Sequence, residues 1–191
     1  MIHQSADVSE KAKLGRNIKI WSLSKIREGT KIGDNCVIGN NVYIDHHVTI
    51  GSNVKIQNNA LIYFGATIED GVFIGPAACL TNDKFPRAIN KSGKLKKASE
   101  WKAGKIIIKK GASIGAGAII ITGNKIGSYA MVGAGSVVTK SIPDHALAIG
   151  NPANIAGFVC KLGHVIKIIS ETNNFKNGYC NYCKDSYKIK K

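Results

Sequence analysis

The sequence predicts an all-β protein: a parallel β-helix of hexapeptide repeats with one protruding loop and a short C-terminal tail. Three observations lead to this prediction. An aliphatic residue recurs every six positions, a mostly small residue follows each of them four positions later, and the spacing breaks once, between Leu80 and Ile108. A period of six belongs neither to a helix nor to an ordinary amphipathic strand.

The aliphatic ladder accounts for the helical coils. It begins at Val8 and Leu14, continues through positions 20, 26, 32, 38, 44, 50, 56, 62, 68, 74 and 80, and resumes at 108, 114, 120, 126, 132 and 138. Alternate side chains of a strand point to the same side, so the aliphatic residue and the small residue two positions before it face inward. The Gly, Asn and Asp residues between them favour turns. Three short strands and three turns then close one coil of about 18 residues.

The break in the ladder predicts the loop. The step from 80 to 108 is not a multiple of six, so residues 81–107 are predicted to leave the β-helix. We predict a β-helix domain over residues 1–157 and a tail over 158–191. The segment "SIPDHALAIGNPANIAGFVCKLG" is predicted to leave the helix and fold back along it in an extended form.

Charge and composition restrict the function classes. The 191-residue chain has a formal net charge of +15, and lysines are concentrated in residues 91–110 and 161–191. Such a balance suits anionic small ligands, a membrane surface or nucleic acid, but no aromatic residues are interleaved for base stacking. No apolar run is long enough for a membrane span. Five cysteines without a signal-peptide pattern predict a reducing, cytoplasmic location.

Several motifs resemble one family. The repeat, together with "KIQNN", "EDGVFIGP", "LTND" followed by "PR", "GASIGAGA", "VGAGSVVTK" and "GNPA", resembles the hexapeptide-repeat acyltransferases over about residues 5–157. Within that family the sequence is most similar to the sugar-nucleotide N-acetyltransferases that acetylate the 3-amino group of UDP-2-acetamido-3-amino-2,3-dideoxyglucuronate. The resemblance implies a left-handed β-helix, acetyl-CoA as co-substrate and a role in surface polysaccharide biosynthesis.

The resemblance also implies the catalytic residues. A sugar amine would attack the acetyl-CoA thioester, and Asn82 would orient that amine. Asp83 is the neighbouring group able to act as a base if one is used. Residues 81–107 contain no histidine, which favours catalysis by positioning. The sugar nucleotide is expected at Asn58, Asn59, Tyr63 and Arg87, the last having a guanidinium suited to a carboxylate or phosphate.

A groove for coenzyme A is expected between subunits. The positions that match it in this sequence are Ala116, Ala134, Thr139, Lys140 and Pro152. Small side chains let the pantetheine arm approach the backbone, and a lysine suits the CoA phosphates. A groove between subunits implies a homotrimer, because flat-sided helices close around a threefold axis.

The tail resembles a small zinc ribbon. Cys160, Cys180 and Cys183 are candidate ligands of a structural zinc, and Leu162 stands where such ribbons commonly have another cysteine. His164 is the candidate fourth ligand, since zinc accepts a Cys₃His set. The alternative is a degenerate ribbon with free thiols.

Other functions stay open at the level of sequence. One is O-acetylation of a sugar or serine hydroxyl, which usually needs a histidine base. Another is a β-helix scaffold without catalysis, and a third is a trimer that binds nucleic acid through its lysines. Some β-helices of this type are carbonic anhydrases, which need a cluster of three histidines; the five histidines here predict none, and His46 and His47 are expected to be solvated turn residues.

Overall fold

The computed structural model of the chain describes residues 1–190, apart from the side chain of Ala98. Lys191, the last residue of the predicted tail, lies outside the described residues. Within this range no helix has the length and apolar character needed to cross a membrane.

Nineteen short strands form the β-helix. They are β1 Asp7–Val8, β2 Lys13–Leu14, β3 Lys19–Ile20, β4 Lys25–Ile26, β5 Lys31–Ile32, β6 Val37–Ile38, β7 Tyr43–Ile44, β8 Thr49–Ile50, β9 Lys55–Ile56, β10 Leu61–Ile62, β11 Ala66–Ile68, β12 Phe73–Ile74, β13 Cys79–Leu80, β14 Ile106–Ile108, β15 Ser113–Ile114, β16 Ile119–Ile120, β17 Lys125–Ile126, β18 Met131–Val132 and β19 Val137–Val138. The C-terminal strands are β20 Ala146–Gly150, β21 Ala153–Phe158, β22 Lys167–Glu171, β23 Phe175–Cys180 and β24 Asp185–Lys190, and a 3₁₀-helix spans Ala98–Glu100.

Every third strand belongs to the same sheet. The first sheet has the order β1-β4-β7-β10-β13-β16-β19, the second β2-β5-β8-β11-β14-β17, and the third β3-β6-β9-β12-β15-β18-β20-β21. Pairing within the coils is parallel, and Ile44 lies between Ile26 and Ile62 in the first sheet. The predicted fold class, a left-handed parallel β-helix with one protruding loop and a C-terminal tail, is confirmed.

The interior is filled by the two inward ladders. Ile20, Ile38, Ile56 and Ile74 are fully buried and stack directly above one another in the third sheet. Each such side chain contributes about 1.5–3 kcal/mol relative to an exposed one. Within residues 1–190 these buried side chains pack against one another along the whole helix, so we expect a functional site at the outer surface.

The loop is two residues shorter than predicted and spans residues 81–105. Strand β14 begins at Ile106, which is buried and pairs with Ala66 of β11. Ile106 occupies the inward position that precedes the aliphatic one. The aliphatic ladder resumes only at Ile108, so it does not mark this earlier return to the coil.

The C-terminal segment is not an extended tail: it adds two strands to the third sheet and then forms one further sheet. Strands β20 and β21 form a hairpin, and β20 adds to the third sheet beside β18. Strands β22, β23 and β24 form a separate antiparallel sheet. Its core has only four buried residues, which are Cys160, Ile166, Cys180 and Ile189.

Candidate active site and metal-ligand cluster

Each coil has three corners, and one of them carries the loop. We call it the loop corner; it consists of the turns that follow the first-sheet strands, at residues 9–12, 27–30, 45–48, 63–65, 81–105, 121–124 and 139–141. The turns that follow third-sheet strands, at 21–24, 39–42, 57–60, 75–78, 115–118 and 133–136, are called the small-residue corner. The first sheet lies between these two corners.

The loop corner also differs in sequence. The residue after the inward aliphatic position is glycine at many turns of the other corners, for example Gly33, Gly39 and Gly51. At the loop corner this position is never glycine; it is occupied by Ser9, Arg27, Asp45, Tyr63, Thr81, Ile121 and Thr139. Side chains therefore project from this corner in a column along the helix axis.

A cavity of about 390 Å³ opens between the loop and this column. It is lined by Tyr63, Asn82, Asp83, Arg87, Ala88, Lys96 and Trp101. The structure thus brings together both predicted catalytic residues and two of the four predicted substrate-binding residues. Within residues 1–190 the side-chain amide of Asn82 and the hydroxyl of Tyr63 have no hydrogen-bond partner, so both are available to a ligand.

Hydrogen bonds fix the shape of the loop. The Gly104 N–H donates to the Asn82 carbonyl at its base (2.8 Å), and the Lys96 N–H donates to the Ala88 carbonyl further out (2.9 Å). The Glu100 carboxylate accepts the Lys97 N–H and the Asn90 side-chain amide. A side chain at Gly65 would collide with the Gly104 carbonyl oxygen, so glycine there lets the end of the loop return closely to the coil.

A buried carboxylate lies beneath the cavity. Asp45 is only 6% exposed and accepts hydrogen bonds from Arg27 Nη1 (2.9 Å), Tyr43 Oη (3.1 Å), the Phe64 N–H (3.1 Å) and both the N–H and Nδ1 of His46 (2.8 Å each). Burial acts to raise the pKa of Asp45, but the hydrogen bonds led by His46 outweigh it and hold that pKa at about 2. The expectation that His46 is merely solvated is wrong, because its ring also stacks on Phe64 with 4.5 Å between centroids.

The other predicted substrate residues lie elsewhere. Asn58 and Asn59 are at the small-residue corner, where Asn58 Oδ1 accepts the Asn40 N–H and Asn59 Oδ1 accepts Asn41 Nδ2. These bonds link successive coils. Within one chain the two asparagines do not line the cavity with Asn82, and their role in substrate binding stays a prediction.

The predicted CoA residues divide between the two corners. Ala116 and Ala134 are exposed in stacked turns of the small-residue corner, each beside a glycine whose missing side chain leaves open space. Thr139 and Lys140 lie at the loop corner, and Pro152 lies in the tip of the β20–β21 hairpin. Their role in CoA binding stays a prediction.

Sequence reasoning missed Lys96, Trp101 and the Asp45–His46 pair. The column of non-glycine residues at every third turn could have identified Asp45. Lys96 and Trp101 line the cavity because hydrogen bonds within the loop determine its conformation. The loop has no sequence repeat from which their positions could be predicted.

The four candidate metal ligands converge in the tail. The ligand atoms of Cys160, His164, Cys180 and Cys183 all lie within 4.8 Å of one another. The Sγ atoms of Cys160 and Cys183 are 3.4 Å apart, and His164 Nδ1 is 3.5 Å and 3.7 Å from them. The N–H groups of Leu162 and His164 donate to Cys160 Sγ. Three sulfurs and one imidazole nitrogen at this spacing fit a tetrahedral zinc.

The cluster also favours one thiolate. Burial acts to raise the pKa of Cys160, but the Leu162 N–H, the Cys183 thiol and the His164 donors lower it to about 6. The neighbouring Cys160 raises the pKa of Cys183 to about 12. The fixed donors thus favour the thiolate form of Cys160, which is the form that binds a metal.

Comparison with known proteins agrees with the coil structure. The family described as bacterial transferase hexapeptide (six repeats) matches residues 11–46 and 29–64, and the hexapeptide repeat of succinyl-transferase matches residues 105–140. Residues 11–64 and 105–140 of the chain are thus similar to the hexapeptide-repeat transferases. Both matched stretches lie within the coils of this hexapeptide-repeat protein, one before and one after the loop.

Two curated relatives of this hexapeptide-repeat protein are acetyltransferases. The dTDP-3-amino-3,6-dideoxy-α-D-galactopyranose 3-N-acetyltransferase of Aneurinibacillus thermoaerophilus is 64% identical over 66 residues, covering 35% of this chain and 34% of that protein. The galactoside O-acetyltransferase of Lactococcus lactis is 34% identical over 84 residues, covering 44% and 39%. The matches thus span little more than a third of each relative.

Two solved structures share the fold of this hexapeptide-repeat chain. PerB of Caulobacter crescentus, in complex with CoA and GDP-perosamine, has 29% identity and a TM-score of 0.51, covering 82% of this chain and 56% of that one. A hexapeptide-repeat acetyltransferase of Vibrio cholerae, in complex with acetyl-CoA, has 25% identity and a TM-score of 0.57, covering 68% and 70%.

Proposed function

We propose that this protein is an acetyl-CoA-dependent N-acetyltransferase that acts on the amino group of a nucleotide-linked amino sugar. The observation that carries the proposal is the cavity that Asn82, Asp83, Tyr63 and Arg87 line together. Within residues 1–190 the side-chain amide of Asn82 has no hydrogen-bond partner there. The relatives support it, since one is named for N-acetylation of a dTDP-amino sugar and one structure holds CoA with GDP-perosamine. The finer proposal is that the acceptor is the 3-amino group of a UDP-2-acetamido-3-amino-2,3-dideoxyglucuronate.

The proposed reaction is direct transfer. The neutral amine nitrogen attacks the thioester carbonyl, the new N–C bond forms, the C–S bond breaks, and the departing CoA sulfur takes the proton that the amine loses. Asn82 accepts a hydrogen bond from the amine and fixes its direction of attack. Correct placement of the two reactants supplies several kcal/mol of the barrier reduction. His46 and His47, two turns below Asn82 at the same corner, do not line the cavity.

The activity is tested by release of free thiol. Purified protein is mixed with acetyl-CoA and with UDP- or dTDP-linked 3-amino sugars, and thiol formation is followed with time. We expect turnover with an amino sugar and none with the matching hydroxyl sugar. Turnover of the hydroxyl sugar would favour the O-acetyltransferase, and no turnover with any acceptor would favour the scaffold.

Asn82→Ala tests the role of Asn82. The variant should lose about 10²-fold in the rate of acetyl transfer, because the acceptor amine loses its orientation. CoA affinity and thermal stability should stay close to wild type, since Asn82 is on a surface excursion and its removal opens no cavity in the core. Transfer rate, CoA affinity by calorimetry and the melting temperature check this.

Asp83→Asn provides the matched comparison. Asp83 Oδ1 accepts the Phe85 N–H (2.9 Å), so it also shapes the first turn of the loop. An asparagine can keep that hydrogen bond, and the variant should be much less affected than Asn82→Ala. A larger loss in Asp83→Asn together with a shifted pH–rate profile would make Asp83 a general base and contradict the positioning mechanism.

For the tail we propose a structural zinc held by Cys160, His164, Cys180 and Cys183. The convergence of these four ligand atoms supports it. The small core of the tail sheet supports it independently, because four buried residues are too few to stabilise three strands without a metal or a disulfide. Protein purified without a chelator should contain about one zinc per chain.

A further inference from the structure

The tail sheet has an outer face that is turned away from the tail core. Cys180 of β23 and Ile189 of β24 are buried in that core, so the alternate residues of each strand point outward. Strand β22 contributes to the same face, because its Lys167 pairs with Tyr179. The outward side chains are those of Lys167, Ser170, Phe175, Asn177, Tyr179, Ser186, Lys188 and Lys190.

The outer face of the tail sheet carries no carboxylate. Asp185 pairs with the buried Cys180 and so belongs to the inward side of the sheet. Glu171 pairs with Lys176 on that inward side, where Lys176 Nζ also lies over the Phe158 ring at 5.4 Å. The outer face therefore has three lysines and no acid among the described residues of the sheet, which makes it complementary to a polyanion.

Two aromatic rings lie among these lysines. Lys188 Nζ is 4.3 Å from the centroid of the Phe175 ring, and Tyr179 lies directly opposite Lys167. Both rings are partly exposed to solvent. The expectation that no aromatic residues are interleaved with the lysines is therefore wrong for this sheet, because strand pairing brings rings and lysines of different strands together.

We infer that the outer face of the tail sheet binds single-stranded nucleic acid. The lysines pair with phosphates, and unpaired bases stack on Phe175 and Tyr179, since every base has a flat π-face. A cavity of about 430 Å³ lies beside the first of these rings, and its lining residues are Asn173, Asn174, Phe175 and Lys190. This binding site is additional to the proposed transferase activity and does not depend on it.

Fluorescence anisotropy with labelled oligonucleotides tests the face in the full-length protein. The wild type should bind a short oligodeoxythymidine and should bind an abasic strand with the same number of phosphates about tenfold more weakly, because only the first offers bases for stacking. Raising the salt concentration from about 50 to about 200 mM should weaken binding about 20-fold, as three phosphate contacts require for a single strand.

Substitutions separate stacking from charge. Tyr179→Leu removes the ring but keeps an apolar side chain; it should weaken oligodeoxythymidine binding about tenfold and leave the abasic strand within about twofold. Tyr179→Phe keeps the ring and should behave as wild type. Lys188→Met should weaken both strands and reduce the slope of the salt dependence by about a third.

Lys31→Met is the matched control for charge. Lys31 is an exposed lysine of β5, and the other outward residues of the second sheet include no aromatic ring. This variant loses the same charge as Lys188→Met and should bind both strands as the wild type does. Zinc content and the melting temperature show whether the tail sheet of each variant is intact.

Several results would overturn the inference. These are no binding of oligodeoxythymidine, equal binding of the abasic strand or of duplex DNA by the wild type, and an unchanged affinity in Tyr179→Leu. Heparin that binds more tightly than oligodeoxythymidine would make the face a site for an anionic polysaccharide instead. Thiol release is judged separately: Tyr179 does not line the cavity of Asn82, so Tyr179→Leu should keep wild-type turnover.

Discussion

Asp45 connects three coils at the loop corner. Its carboxylate receives Arg27 from the coil below, Tyr43 and His46 from its own coil, and the Phe64 N–H from the coil above. Phe64 follows Tyr63, which lines the cavity. The carboxylate therefore holds the floor of the candidate active site in a single arrangement, although it is not itself in contact with the cavity.

We predict that Asp45→Asn lowers the free energy of unfolding by about 1–3 kcal/mol at pH 7, because a neutral amide cannot satisfy all the donors that a buried carboxylate does. The pKa of Asp45 in the folded state, about 2, is below its ordinary value of 3.8. The ionised group therefore stabilises the fold fully above pH 3.8, and this contribution disappears as the pH falls towards 2. Denaturant unfolding of both proteins between pH 7 and pH 2 checks this.

The control is Asp34→Asn at another corner. Asp34 also accepts Arg16, but on the surface, where both side chains are partly or largely exposed. Its substitution should change stability much less than Asp45→Asn does. A difference between wild type and Asp45→Asn that does not shrink as the pH falls towards 2 would contradict the role assigned to the Asp45 charge.

At the scale of elements, the tail sheet is joined to the β-helix through its cysteine cluster and His145. The His145 ring stacks on Tyr129 of the coil (5.4 Å) and meets Tyr187 of β24 (5.3 Å). Lys161, in the turn between Cys160 and His164, lies over the Tyr129 ring at 5.7 Å. The turn that would bind zinc thus packs against Tyr129 at a corner of the coils.

We predict that Cys180→Ser removes zinc and loosens the tail sheet without unfolding the β-helix. Cys180 is fully buried among the ligands, whereas the coils have their own continuous core. Limited proteolysis should cut the variant within residues 160–190 and leave a stable core fragment, and metal analysis should find little zinc. Cys79→Ser, a cysteine of β13 outside the cluster, should keep its zinc. A tail that stays protease-resistant without metal would show that zinc is not needed to hold it.

The coils could be predicted from the sequence because every sixth residue must be aliphatic to pack in the same core. Shifting a strand by one residue would turn every isoleucine outward, so the ladder marks the register wherever it persists. The same logic fails in the loop. Lys96 is positioned by its own N–H bond to the Ala88 carbonyl and, at the next residue, by the Lys97 N–H bond to Glu100, and such local bonds leave no period in the sequence.

The repeat also indicates which corner of the coil a residue occupies, but only when positions are compared at a spacing of 18. Asn58 and Asn82 are four repeats apart, and three repeats make a coil, so the two residues must occupy different corners. Counting by 18 instead of 6 separates them and groups Arg27, Asp45, Tyr63 and Thr81 in one column. The ligand set of the tail was predicted from its resemblance to a ribbon; the antiparallel sheet that brings the ligands together was not.

At the scale of the whole molecule, the candidate residues lie at the two corners that flank the first sheet. Asn82 and Thr139 are at the loop corner, and Ala116 and Ala134 are at the small-residue corner. Between these two corners, the outer surface of the first sheet carries four apolar side chains, those of Leu61, Cys79, Ile119 and Val137. Ile119 is exposed, and the other three are partly exposed. A second copy packed on this surface would cover apolar side chains and bring its own corner beside that of its neighbour.

We therefore predict a homotrimer whose sites each combine the loop corner of one subunit with the small-residue corner of the next. Light scattering should give about three times the chain mass of 20.4 kDa. Asn82→Ala disables the first corner, and Ala134→Trp blocks the groove at the second. Each variant alone should form inactive trimers.

Co-expressing these two variants tests the shared site directly. In a random trimer a site is intact when an Ala134→Trp chain supplies the loop corner and an Asn82→Ala chain supplies the groove, so about a quarter of wild-type activity should return. Mixing Asn82→Ala with Arg87→Met restores nothing, since both defects lie at the loop corner and every site contains one of them. If verified mixed trimers of the first pair stay inactive, both corners of a site belong to one chain, because only then does every site in the mixture contain a defect.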